Sequence, residues 1–186
     1  MRHWFALVAV APLLGCSAIA AVEGGASYAI GKPQQSAFAL NAYAGIGDTD
    51  GHAGAGGGAM LRAKVGPHMG QVALGPMFFF LGGPAYDTWH GVTPRAFFFS
   101  TGGFNAVQLE SIEGQFAFGA FSPHAQAGVF LRTFDQSGFF LSVGGEYDVR
   151  FADLPNTGYA SFFLGFGDAA YSIGPPPGAF RGLGGD

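Results

Sequence analysis

Between Gly138 and Phe151 the chain alternates without a break for fourteen residues. Phe139, Leu141, Val143, Tyr147, Val149 and Phe151 fall on one face, and Phe140, Ser142, Gly144, Glu146, Asp148 and Arg150 on the other. Successive side chains of a strand point to opposite faces, so this pattern predicts a β-strand with one apolar and one polar face. The strand it predicts is long, since soluble strands usually run about 5–6 residues.

Other segments repeat the theme. Ala55 to Val65 sets Ala59, Leu61, Ala63 and Val65 against Met60, Arg62 and Lys64. His124 to Phe134 sets Ala125, Ala127, Val129 and Leu131 against Gln126, Gly128 and Arg132. Ser36 to Gly47, Met69 to Leu81, Thr93 to Ser100, Phe104 to Glu110, Gly114 to Phe121 and Gly158 to Ile173 are further strand candidates. Between them stand turn signals: Asp48-Thr49-Asp50-Gly51, Gly66-Pro67, Ser122-Pro123, Asp135-Gln136-Ser137-Gly138 and Pro155-Asn156-Thr157-Gly158. Strands joined by short turns become antiparallel neighbours. The fold predicted is all-β, an antiparallel up-and-down barrel of about 8–10 strands after an N-terminal signal segment. Glycine supports this: the chain holds 33 of them, and each interior glycine costs a helix about 1 kcal/mol.

The N-terminus has a different grammar. Met1-Arg2-His3 carries one fixed positive charge, and Trp4 to Leu14 is an uncharged, mostly apolar run. That is the layout of a secretory signal. The run ends Leu13-Leu14-Gly15-Cys16, which resembles the lipobox of bacterial lipoproteins, and Cys16 is the only cysteine in the chain. The resemblance implies cleavage before Cys16, a diacylglycerol on its sulfur and an acylated amino end, with Ser17 favouring transfer to the outer membrane. Two other readings stay open: cleavage after Ala20 at Ala18-Ile19-Ala20, and retention of Trp4 to Val22 as an anchor. The expected organisation is a signal peptide over 1–15, a lipidated N-terminus and tether over 16–35 with a strand starting near Ser27, a barrel over 36–173, and a Pro/Gly-rich tail over 174–186.

Either face of such strands could meet water. The low charge decides: 11% of residues are charged, against about 25% in a typical soluble domain, too few to cover an outer surface in water. A lipid-facing band removes that need, and abundant aromatics suit membrane-interface girdles. Over residues 36 to 173 the pattern resembles small bacterial outer-membrane β-barrel proteins, although the chain ends Leu183-Gly184-Gly185-Asp186 and not on the aromatic residue usual in that class. The triplets Phe78-Phe79-Phe80 and Phe97-Phe98-Phe99 must use both faces, so some phenylalanine points inward. Arg62, Lys64, Arg132, Glu146, Asp148 and Arg150 are the candidate lumen lining, either as a selectivity surface or as a salt-bridged plug.

Little else carries chemistry. With 8 basic and 12 acidic side chains the chain lacks the basic patch that nucleic acid needs. Asp48, Asp50, Gly51 and His52 read as a turn, because the later ligands of a calcium loop are missing. His52, His68, His90 and His124 lack metal-site spacing, and Asp87 with His90 is one spaced pair without a nucleophile. No catalytic residue, metal or cofactor is assigned. The expected role is a cell-envelope lipoprotein with an outer-membrane-type barrel, structural or passive-pore. Its expected partner is membrane lipid, through Cys16 and the barrel exterior. The alternatives are a lipid-anchored soluble barrel or sandwich binding an apolar ligand in the periplasm or outside the cell, and an envelope-lipid-modifying enzyme.

Overall fold

The computed structural model describes residues 17–49, 53–82, 95–119, 121–132, 137–151 and 153–172. The strands are β1 (Ser17–Ala29), β2 (Ala37–Thr49), β3 (Ala53–Gly66), β4 (Met69–Gly82), β5 (Arg95–Asn105), β6 (Val107–Ile112), β7 (Gln115–Gly119), β8 (Ser122–Arg132), β9 (Ser137–Asp148) and β10 (Thr157–Ser172). All described pairings are antiparallel, each strand lies beside its chain neighbour or nearly so, and β1 closes the sheet by pairing with both β2 and β10.

Ten strands make eight staves. One edge of β4 pairs with β5 over Met77–Gly82 and with β6 over Met69–Leu74, so β5 and β6 are one stave interrupted at Ala106. The next stave is β7 plus β8, interrupted between Gly119 and Ser122. The ladder is stitched across both interruptions: the Ala106 amide donates to Leu74 O at 2.9 Å and the Phe121 amide to Asn105 O at 2.6 Å. β6 and β7 are joined by Glu113-Gly114, both with positive φ (50° and 84°), the backbone that a two-residue hairpin turn requires. The fold is a closed, up-and-down, eight-stave antiparallel barrel.

Two expectations need correcting. Residues 17–29 are not a tether but a full stave, paired from Ser17↔Ser172 to Ala29↔Tyr159 on one side and from Ser17↔Gly47 to Ser27↔Ala37 on the other. The barrel therefore begins at Ser17, well before residue 36. The strand expected to run to Phe151 ends at Asp148, because the next amides turn aside: Val149 N donates to Ser122 Oγ, Arg150 N to Asn156 Oδ1 and Phe151 N to Phe118 O. Cys16, residues 1–15, the turn residues Asp50, Gly51 and His52, the Asp87 and His90 pair, and the tail 174–186 lie outside the described residues.

The β1–β10 seam depends on close backbone approach. A Cβ on Gly25 would sit 1.9 Å from the Phe162 carbonyl oxygen, a contact only backbone movement relieves. Gly25→Ala is therefore expected to cost about 1–3 kcal/mol, the usual penalty of overpacking, read as a lower urea midpoint.

Candidate functional site

The alternation sorts the side chains by character, and the sorting is the reverse of a soluble barrel. Every charged side chain described on a strand points inward and is buried: Glu23, Arg62, Lys64, Glu110, Glu146 and Asp148. The outer wall of the strands carries Val22, Leu40, Leu61, Leu74, Phe78, Val129, Leu141, Val143, Leu164 and their like. Exposed polar groups such as His68, Glu113, Asp153 and Asn156 stand at turns. β4, with 14 residues at about 3.3 Å each and a tilt near 40°, rises about 35 Å, enough for the ~25 Å apolar band of a membrane barrel.

The lumen is filled in three layers. At the end where β1 starts and β10 finishes, aromatic and thioether side chains close it. Tyr43, Met60, Met77 and Phe79 pack together there, beside Phe130 and Phe140. Phe99 meets Phe140 edge-on, ring centroids 5.5 Å apart. Of the triplets, Phe79 and Phe99 turn in while Phe78, Phe80 and Phe98 face out. Glycine makes the room: a Cβ on Gly47 or Gly56 would strike the Phe79 ring at about 2.5 Å, and one on Gly165 would strike Phe140 at 2.2 Å. At the opposite end Ala29, Met69, Ile112 and Tyr159 form a second apolar layer.

Between them lies a continuous polar network. Arg62 donates to Glu146 and to Asn41 Oδ1 (2.7 Å), and Lys64 reaches Glu146 at 2.9 Å and Asp148 at 3.3 Å. Asn105 and Gln71 donate to Glu146 and Asp148 at 2.8 Å. Arg150, just beyond β9, pairs with Glu110 and lies 3.7 Å from Asp148. The Lys64 ammonium also sits 3.7 Å over the Tyr159 ring. Lower in the barrel, Glu23 accepts from Asn41 Nδ2, the Tyr43 hydroxyl and Gln126 Nε2, all neutral donors. A buried charge is tolerable when paired and hydrogen-bonded, and the network supplies both to Glu110, Glu146 and Asp148 and hydrogen bonds alone to Glu23.

Arg62, Lys64, Glu146, Asp148 and Arg150, singled out from the sequence, are thus brought into one cluster. Arg132 ends β8, and its side chain lies outside the described ones. Sequence reasoning put Gln126 on the polar face without assigning it to the lumen and missed Glu23, Glu110, Asn41, Gln71 and Asn105, although each is inward and has an outward apolar residue just before or after it. His124 is buried beside this cluster with neither ring nitrogen hydrogen-bonded. Among the described residues no three His, Cys, Asp or Glu side chains form a group that could hold a metal.

The mouth at the turn end is strapped. The Lys32 ammonium donates to Asn156 O and Thr157 Oγ1, both at 2.9 Å, and Arg150 Nη1 donates to Pro155 O at 2.5 Å and Thr157 Oγ1 at 2.7 Å. The Lys32 bonds tie the β1–β2 connection to the neighbouring β9–β10 connection, and the Arg150 bonds brace the latter internally.

No protein-family model and no curated protein sequence matches the chain. Among solved structures, Neisserial surface protein A (NspA) aligns with a TM-score of 0.53 and 11% identity, over 83% of this chain and 96% of that one. The translocator domain of the autotransporter NalP from Neisseria meningitidis aligns at a TM-score of 0.33 with 12% identity, over 89% and 94% of the two chains. The first of these likenesses is one of fold: the chain shares its closed, up-and-down barrel architecture with that protein.

Proposed function

We propose that this chain is an integral outer-membrane barrel of a bacterial cell envelope, sealed through its middle, whose role is structural and not catalytic. One observation carries the reading: every described strand charge faces the lumen while the outer wall is apolar. In water this arrangement would expose a full belt of Leu, Val and Phe, far beyond the apolar patch that monomeric soluble proteins show. In lipid it is the expected outside-apolar, inside-polar alternation. The two apolar layers and the ion-paired layer between them disfavour a passive pore, because no tier of the lumen is lined by free charge. A soluble carrier of apolar ligands is also disfavoured, because the inside is the polar side.

The lipoprotein part of the reading draws support from β1. Cleavage before Cys16 leaves β1 whole, whereas cleavage after Ala20 would strip Ser17 to Ala20 from the seam, where Ser17, Ala18 and Ala20 pair with β10. Cys16 then joins a diacylglycerol to the first residue before the barrel.

Electrophoresis of the detergent-extracted protein, boiled against unboiled, tests the membrane reading. The folded barrel is expected to resist SDS and to shift its mobility on boiling. In planar bilayers it is expected to show no conductance steps. Residues 17–186 soluble in plain buffer with no band shift would reject the membrane reading, and steady ohmic steps would return the passive pore to first place.

A further inference from the structure

The outer wall has a hollow at the barrel seam. It has a volume of about 280 Å³ and lies between Val22, Gly24, Leu40, Phe139, Leu164 and Phe166. It lies over Gly24, whose register partners Leu40 and Leu164 on β2 and β10 are large, and the end of the Phe38 ring comes within 2.9 Å of where a Gly24 Cβ would stand. The volume is about nine times the ~30 Å³ share of a liquid water, and a methylene group is of similar size. The hollow is a shallow, open depression with no polar side chain on its outward rim.

We propose that this hollow is the seat of an acyl chain carried on Cys16, so that the anchor packs against the barrel it anchors. The inference rests on the lipoprotein reading above. Three features commit it to that occupant. Cys16 immediately precedes β1, the strand that forms one wall of the hollow. Ala20, Val22 and Gly24 share the outward phase of β1, and Cys16 has the same even parity in the sequence. The reach also fits: Val22 is six residues from Cys16, about 20 Å along the strand and about 15 Å along the membrane normal at a tilt near 40°. That matches the depth of one leaflet, half of the ~30 Å hydrocarbon core. The chain end would then lie over Val22 and Phe166 and continue toward Gly24 and Leu164.

Expression of the full chain in a bacterial host fed a diazirine-tagged fatty acid tests this. After irradiation, the acylated Cys16 peptide is expected to be cross-linked to residues 164–166 or to Phe139 and Leu40. The cross-link is expected to disappear in Cys16→Ser. It is also expected to leave these residues in Gly24→Leu, whose new side chain fills the hollow. A Cβ on Gly24 meets only the ends of the Phe38 ring and the Leu40 side chain, at 2.9 and 3.7 Å, so neither neighbouring backbone is forced aside. The wild-type result stands without that variant. An intact mass showing acylated Cys16 with cross-links only to bilayer lipid or to other staves would overturn the inference and leave the lipoprotein reading standing. A phospholipid adduct persisting on residues 164–166 in Cys16→Ser would assign the hollow to free lipid and overturn it too. An unacylated mass would overturn both.

Discussion

Glu146→Leu is expected to lower the stability of the folded barrel by about 3–5 kcal/mol, the cost of breaking a buried ion pair by removing one partner. Glu146 accepts from Arg62, from Lys64 at 2.9 Å and from Asn105 at 2.8 Å, and its side chain is 2% exposed. Leucine is close in volume, so the change strips charge from the layer without opening a large void. It leaves Arg62 with Asn41 and Lys64 with Asp148 at 3.3 Å as acceptors, so the buried guanidinium loses its carboxylate partner. The measurement is urea unfolding of protein refolded in lipid vesicles, scored by the unboiled gel band. Arg62→Met in the Glu146→Leu background should recover part of the loss, with a coupling of about 0.5–3 kcal/mol, because the orphaned guanidinium is removed with its partner. A loss below about 1 kcal/mol would mean that water reaches the layer, since solvated ion pairs are worth no more than that. That outcome would revive the passive pore, so one variant measures both the network and the seal.

The same cluster shows what the sequence made legible. Strict alternation from Phe139 to Asp148 predicted which residues share a face, and Arg62, Lys64, Glu146 and Asp148 were all on the face that proved to be inward. Their pairing was not legible, because β3 and β9 are not neighbours in the sheet and meet only across the lumen. Strand β1 was hidden by its composition: Ser17–Ala29 is mostly Ala, Gly and Ser with a single charge, so it reads as the end of a leader followed by a tether. Only its two ladders, to β2 and β10, identify it as a stave. The interruption at Ala106 has no local signal, and the one at Phe121 is flagged only by Ser122-Pro123, which reads as a turn between strands and not as a break within one stave. Phe121 takes a positive φ of 64°, a conformation no rule from sequence assigns to phenylalanine, and it is held there by the ladder bond to Asn105. The sorting of glycine against phenylalanine also belongs to tertiary structure, since Gly47 and Gly56 make room for Phe79, which is distant in sequence.

Val143→Arg is expected to cost about 2–4 kcal/mol although the residue is among the most exposed in the barrel, 61% open and midway along β9. Its register partners on either side, Ala127 and Phe162, also face outward, so the guanidinium would have no polar neighbour on the wall. If the wall meets hydrocarbon, the charge must snorkel or drag water with it, and stability falls. If the wall meets water, an exposed valine replaced by arginine changes stability by no more than about 0.5 kcal/mol, and solubility improves. The sign of the effect therefore reports the solvent outside the barrel, independently of any gel behaviour. Val65→Arg supplies the depth control. Val65 is 68% exposed but adjoins the turn after Gly66, at the rim of the wall, where the cost of a charge in a membrane barrel falls to about 0–1 kcal/mol. A large loss at Val143 beside a small one at Val65 can arise only from a medium whose polarity changes along the barrel axis. Equal, small losses at both would mean that the apolar wall stands in water.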